Sequence, residues 1–203
     1  TPNGSLYDFL KNEKKFCNPN WNSVKKLINI YGIASAIVRL NYNQFFVHNI
    51  STKSILLDEN LYPKLFGLLS YNKKEIDKNE LVDNVMLLSR KAHNEEKNSN
   101  ENDMHSFSLL IYEIITNEEP FYNQSILKDV IKKKFEFNSK IPDCYVKLIQ
   151  NCWSTDSIKK LEFTDIVKIL RTPDFINNLD SREQKEEYFR YIYSLDPKDF
   201  FNI

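Results

Sequence analysis

Phe45 to Leu69, FFVHNISTKSILLDENLYPKLFGLL, is the stretch on which the fold turns. Upstream of it, from Ser23 to about Tyr42, Val24, Leu27, Ile28, Tyr31, Ala34, Ile37 and Val38 recur with the 3.6-residue period of an amphipathic helix. That period stops at Phe45. Three short apolar runs follow, Phe45 to Val47, Ile55 to Leu57 and Pro63 to Phe66, separated by polar residues, and they read as short strands joined by turns.

Working outward, Leu6, Phe9 and Leu10 predict a short helix near the start of the chain. Tyr71 to about Asn102 is rich in Lys, Glu and Asn, with only Leu81, Val85, Met86, Leu87 and Leu88 as an apolar knot, and reads as an irregular segment. From Asp103 the run Met104, Phe107, Leu109, Leu110, Ile111, Ile114 and Ile115 is apolar nearly all round, the pattern of a helix buried in the middle of a domain. Further helices are expected at Ser125 to Lys133, Asp143 to Cys152 and Phe163 to Leu170. A last one, Ser181 to Leu195, opens on a capping-box pair, Ser181 and Gln184. The class is mainly α: a helical lobe around a buried central helix, with one short β-hairpin region.

With 203 residues, 41% apolar and 13% aromatic, the chain can bury one substantial core. Lys plus Arg equals Asp plus Glu at 28 each, so no global field attracts nucleic acid or anionic lipid, and neither is expected as a partner. Cys17, Cys144 and Cys152 form neither a disulfide framework nor a metal knuckle, which points to a reducing compartment, the cytoplasm. No apolar run approaches the ~20 residues that span a bilayer, and no signal sequence opens the chain.

Four islands in order resemble the protein-kinase family. TPNGSLYDFL, Thr1 to Leu10, is similar to the end of a kinase hinge entering the first large-lobe helix. Ile55, Leu56, Leu57, Asp58, Glu59 match the I-L-L-D-E that follows a kinase catalytic loop. DMHSF, Asp103 to Phe107, continuing as SLLIYEIITNEEPF, resembles the opening of the central helix. Ile141 to Leu170 is similar to the closing helices of tyrosine and tyrosine-kinase-like serine/threonine kinases, with Cys152 and Trp153 on the family's C-W pair. The resemblance covers residues 1–170 and implies the α+β kinase fold, its C-terminal (large) lobe; residues 171–203 are expected to form a C-terminal helical extension.

Set without gaps on H-R-D-L-x-x-x-N and D-F-G, the family's active residues are replaced. Val47 takes the histidine place, His48 the arginine place, Asn49 the catalytic aspartate place, Ser51 the lysine place and Ser54 the asparagine place; Gly67, Leu68 and Leu69 take D-F-G. Phosphoryl transfer needs one carboxylate to accept the substrate proton and another to hold magnesium. Asn49 offers only a neutral amide, Gly67 no ligand, and Ser54 a weak one for a hard cation. Sliding the register puts Ile50 or Leu65 on the acidic places and restores neither. Asp58 and Glu59 are the nearest carboxylates, but their match lies in the turn between strands, facing water.

The structural positions keep their character. Val47 and Leu68 remain apolar where the family stacks against the central helix, each contributing roughly 1.5–3 kcal/mol if buried. Asp103 matches the buried aspartate that accepts from the catalytic-loop backbone, Leu56 the floor of the adenine pocket, and Lys160 the arginine of the family's long-range ion pair. The glutamate of that pair falls near Ser89. Of the three glycines, Gly4, Gly32 and Gly67, none forms a phosphate-covering loop.

Other constellations read blandly. Asp58, Asn60 and Tyr62 start like a calcium loop but meet Pro63 and Leu69 where glycine and glutamate are needed. His48, His93 and His105 lack metal-ligand spacing, Cys152 reads as an inert core thiol, and Lys132 to Lys134 read as a solvated helix end.

The resemblance therefore implies a catalytically silent, pseudokinase-type domain with no cofactor, serving as a protein interaction, scaffold or regulatory module in signalling. The expected contact surfaces are 71–102, the helix near Ser125 and the C-terminal helix. The alternative is an atypical ATP- and magnesium-dependent kinase whose N-terminal lobe lies upstream of Thr1. A chance likeness would predict no strand pair at 55–66.

Overall fold

The computed structural model describes residues 1–43, 50–66, 99–118, 141–152 and 161–195. In chain order these form α1 (Leu6–Phe16), α2 (Ser23–Tyr42), a 3₁₀ turn (Thr52–Ser54), β1 (Ile55–Leu57), β2 (Pro63–Leu65), α3 (Ser99–Thr116), α4 (Asp143–Cys152), α5 (Phe163–Leu170), α6 (Pro173–Ile176) and α7 (Arg182–Leu195). The fold among the described residues is mainly helical with one two-stranded antiparallel sheet, in which Ile55, Leu56 and Leu57 face Leu65, Lys64 and Pro63.

Local chemistry sets the helix ends. Ser5 opens α1, its Oγ accepting from the Asp8 N–H at 3.1 Å and donating to the Asp8 carboxylate at 2.6 Å. The helix runs past the expected short segment and stops at Cys17, whose φ of +44° is the left-handed closing conformation usually given to glycine. Asn22 caps α2. Central helix α3 starts at Ser99, inside the segment expected to be irregular, and closes on Asn117 at φ +57°. The short helix α6 was not expected; Thr172 and Pro173 start it.

From Asp103 onward α3 is largely buried, with Phe107, Leu110, Ile111 and Ile114 at 0% exposure. Helix α2 is not the one-sided amphipath that its period suggests. Every residue from Leu27 to Ala34 is buried, because α2 packs on α3, α5, α7 and β2 at once. Two buried helices therefore share the role expected of α3 alone. The loop from α1 into α2 hooks onto the end of α3. Trp21 Nε1 donates to Asn117 Oδ1 at 3.1 Å, and Lys26 Nζ donates to the Ile115 carbonyl at 2.9 Å. Burial pulls the Lys26 ammonium pKa down, against the raising influence of Glu13. Phe107 meets Phe163 edge-on at 5.3 Å, and Tyr145 meets Phe175 at 5.0 Å, joining α3 to α5 and α4 to α6. Among the described residues no helix is long and apolar enough to cross a membrane.

Helix α7 closes the remaining side. Ser181 Oγ accepts from the Gln184 N–H at 3.3 Å as the sequence suggests, but the Gln184 side chain accepts from Asp180 N rather than from Ser181. Tyr188 is fully buried; it donates to the Leu170 carbonyl at 3.0 Å and stands edge-on to Tyr31 at 5.8 Å. The Tyr31 hydroxyl in turn accepts from Arg171 Nε at 2.9 Å. Gly32 lets this packing happen: a Cβ built there would lie 2.2 Å from Tyr191 Oη and 2.8 Å from Pro63 Cγ.

Candidate functional site

The segment 1–5 lies along the edge of β1. Leu57 N–H donates to the Gly4 carbonyl at 3.0 Å, Ser5 bridges to Leu56, and Asn3 Nδ2 donates to the Asp58 carbonyl at 2.6 Å. Gly4 has φ +66° with open space around it, so conformation and not room calls for glycine there. Ile55 and Leu57 point into the core, while Leu56 alternates to the other face and is half-buried beside this edge. A hinge-like segment and the residue expected to floor a base pocket thus lie side by side.

The 3₁₀ turn before β1 carries Ser51 and Ser54. Ser54 Oγ accepts from Ser51 N–H at 3.1 Å and donates to the Ser51 carbonyl at 2.8 Å, so its hydroxyl closes its own turn. Between them Thr52, 2% exposed, donates from Oγ1 to Glu113 Oε2 of α3 at 2.7 Å. This pair ties the turn to the central helix. Sequence reasoning missed it, and the only signal was a hydroxyl in the loop and an acid within the apolar second half of the helix, between Tyr112 and Ile114.

Asp58 corrects an expectation. It is 9% exposed instead of facing water, because Leu61 at φ +61° folds the turn back over the carboxylate. Its Oδ1 accepts from Asn60 N–H at 3.0 Å and Tyr62 N–H at 2.9 Å, and Oδ2 stands 3.6 Å from Lys64. Asn29, buried in α2, reaches the same turn and donates to the Leu61 carbonyl at 2.8 Å. Neither role is visible in spacing.

Asp103 is buried near the start of α3 at 6% exposure. Val47, His48, Asn49, Gly67, Leu68, Ser89, Trp153 and Lys160 lie outside the described residues, as do His93, Lys132 to Lys134 and the strand expected at 45–47. Cys152 is buried in α4, and desolvation pushes its thiol up to about 12, which favours the neutral thiol over the thiolate. Among the described residues no group of three or more His, Cys, Asp or Glu is placed to hold a metal ion.

Comparison with known proteins places this geometry. The model of a family described as protein tyrosine and serine/threonine kinase matches residues 1–170. The dual specificity protein kinase pyk3 of Dictyostelium discoideum is 30% identical over 180 residues, covering 83% of this chain and 13% of that protein. The dual specificity protein kinase shkC of the same organism is 26% identical over 140 residues, 63% of this chain and 28% of that one. Fibroblast growth factor receptor 1 of Dugesia japonica is 27% identical over 210 residues, 92% of this chain and 23% of the receptor. The chain thus spans less than a third of the length of each of these relatives. With its hinge-like edge on β1, its turn bonded to a buried central helix and this match over residues 1–170, the chain belongs to the protein tyrosine and serine/threonine kinase family.

Proposed function

We propose that this chain is the large lobe of a kinase-like domain that does not transfer phosphate and works as a protein-binding scaffold or regulatory module. The observation that carries the reading is the set of groups left to do chemistry. Asn49 and Gly67 occupy the places of the proton acceptor and the magnesium ligand. Among the described residues, Ser54 is engaged on Ser51, Asp58 on its own turn and Glu113 on Thr52. An amide, a hydroxyl closing a turn and a bare backbone do not make the oxygen-rich, anionic donor set that magnesium requires. The surface left for partners includes the outer face of α7, with Phe189 and Tyr193 exposed, in a protein of the cytoplasm.

The names of the relatives favour a second reading, an atypical ATP-dependent kinase completed by an upstream lobe. Thermal unfolding of the full-length protein with ATP, with and without magnesium, separates the two. The scaffold reading expects no magnesium-dependent rise in Tm; a rise that requires the metal supports the kinase.

A further inference from the structure

We propose that α7 is a positioning element for the edge of β1, and that Glu187 sets the geometry of the β1–β2 turn and of segment 1–5 through Tyr62 and Asp58. The inference goes beyond the proposed function and holds whether or not phosphate is transferred.

Glu187 projects from α7 toward two elements at once. Its Oε1 accepts from Tyr62 Oη at 3.0 Å and lies 2.5 Å from Lys25 Nζ of α2, whose ammonium stands 4.5 Å over the Tyr62 ring. Tyr62 is further held by the Tyr191 ring, centroids 4.8 Å apart. Its side chain is thus fixed from α7, and its main chain closes the turn: Tyr62 N–H donates to Asp58 Oδ1 at 2.9 Å, and Asp58 N–H donates to the Tyr62 carbonyl at 3.0 Å. Asp58 then passes the constraint on, its carbonyl accepting from Asn3 while the adjacent Leu57 N–H holds Gly4. A continuous path of hydrogen bonds therefore runs from the C-terminal helix to segment 1–5 beside Leu56. Four of the bonds at the turn are local: Asp58 N–H to the Tyr62 carbonyl, Leu61 N–H to the Asp58 carbonyl, and the Asn60 and Tyr62 N–H groups to Asp58 Oδ1. The bond to Glu187 alone brings in an element more than a hundred residues away.

Amide hydrogen exchange of the whole chain tests the relay, because exchange reads local opening residue by residue. In Glu187→Ala, and in Tyr62→Phe, exchange at Leu57, Asp58 and Tyr62 is expected to rise about fivefold, the factor that follows from losing one hydrogen bond of ~1 kcal/mol. Ile166 in α5 should keep its rate. Glu187→Gln retains an acceptor for Tyr62 while losing the charge beside Lys25, and should restore most of the protection. Acceleration confined to α7, or Glu187→Gln exchanging at the turn as fast as Glu187→Ala, overturns the proposal; the second result would make Glu187 only an ionic clamp on α2. If Glu187→Ala does not fold, Tyr62→Phe, which deletes one hydroxyl, gives the decision alone, and unchanged rates at Leu57 and Asp58 overturn the relay.

Discussion

Gly32→Ala should destabilise this lobe, although the same change in an ordinary helix interior stabilises. Alanine is favoured over glycine by about 1 kcal/mol in mid-helix. Here the new methyl would sit 2.2 Å from Tyr191 Oη and 2.8 Å from Pro63 Cγ, where ordinary carbon contacts begin near 3.4 Å. Overpacking of this kind costs about 1–3 kcal/mol, and the proline ring cannot swing aside as a flexible side chain would. Relief requires α7 to lift from α2, which strains the burial of Tyr188 and Tyr191. Two contacts under 3 Å place the overpacking cost at its upper end, about 2–3 kcal/mol, so the net expectation is a loss of about 1–2 kcal/mol. With a urea m-value of about 2 kcal/mol/M, the unfolding midpoint falls by about 0.5–1 M. Tyr191→Phe removes the nearest atom and leaves Pro63 Cγ at 2.8 Å and Tyr191 Cζ at 3.1 Å. The double variant should therefore be more stable than the two single changes sum to, by about 1 kcal/mol in a double-mutant cycle. A midpoint that rises in Gly32→Ala would refute the reasoning, because it would mean that nothing is seated on that face of α2.

Three further expectations use the same unfolding assay. Asn29→Leu withdraws a buried donor from the Leu61 carbonyl and should cost about 1–3 kcal/mol; an unchanged midpoint would show that the turn satisfies itself. Cys17→Gly relieves a left-handed, exposed non-glycine at the end of α1 and should add about 1 kcal/mol, raising Tm by about 2–4 °C. Alkaline pH should weaken the fold. Burial first, then the bond to Glu187, pushes Tyr62 up to about 12, and burial likewise raises Tyr145, Tyr188 and Tyr191. Each phenol holds its proton more tightly folded than unfolded, so its contribution is whole below the unfolded value of 10.0 and is lost as the pH climbs through the folded value. Lys26, lowered by burial, works in the opposite sense, one group against these four phenols and Tyr112, Cys144 and Cys152, which burial also raises. Midpoints that stay flat or rise above pH 10 would contradict this.

The helices were legible where the apolar residues repeat. Ser23–Tyr42, Asp143–Cys152 and Phe163–Leu170 form over the ranges expected from the sequence. The strand pair was legible as apolar runs around a polar turn. Burial by distant partners was less legible. Asn29 looks like a polar break in an amphipathic face, yet it is a donor to a turn 32 residues on. Gly32 looks like a weak point in a helix and is the seat of a tyrosine from the other end of the chain. Asp58 looks solvated because its neighbours in sequence are polar, but the backbone reversal at Leu61 folds them over it. In the candidate site, the resemblance identified Ser51, Ser54, Leu56 and Asp103 by position; the Thr52–Glu113 bond between the turn and α3 required coordinates.

The central claim is that this family fold stands without the groups that move phosphate. Incorporation of labelled phosphate from ATP, with magnesium, by the full-length protein that carries this chain tests it most directly. The account predicts no incorporation above that of a heat-denatured control. Transfer that is retained by the unaltered protein and lost on Asn49→Ala, with the fold intact, would contradict it.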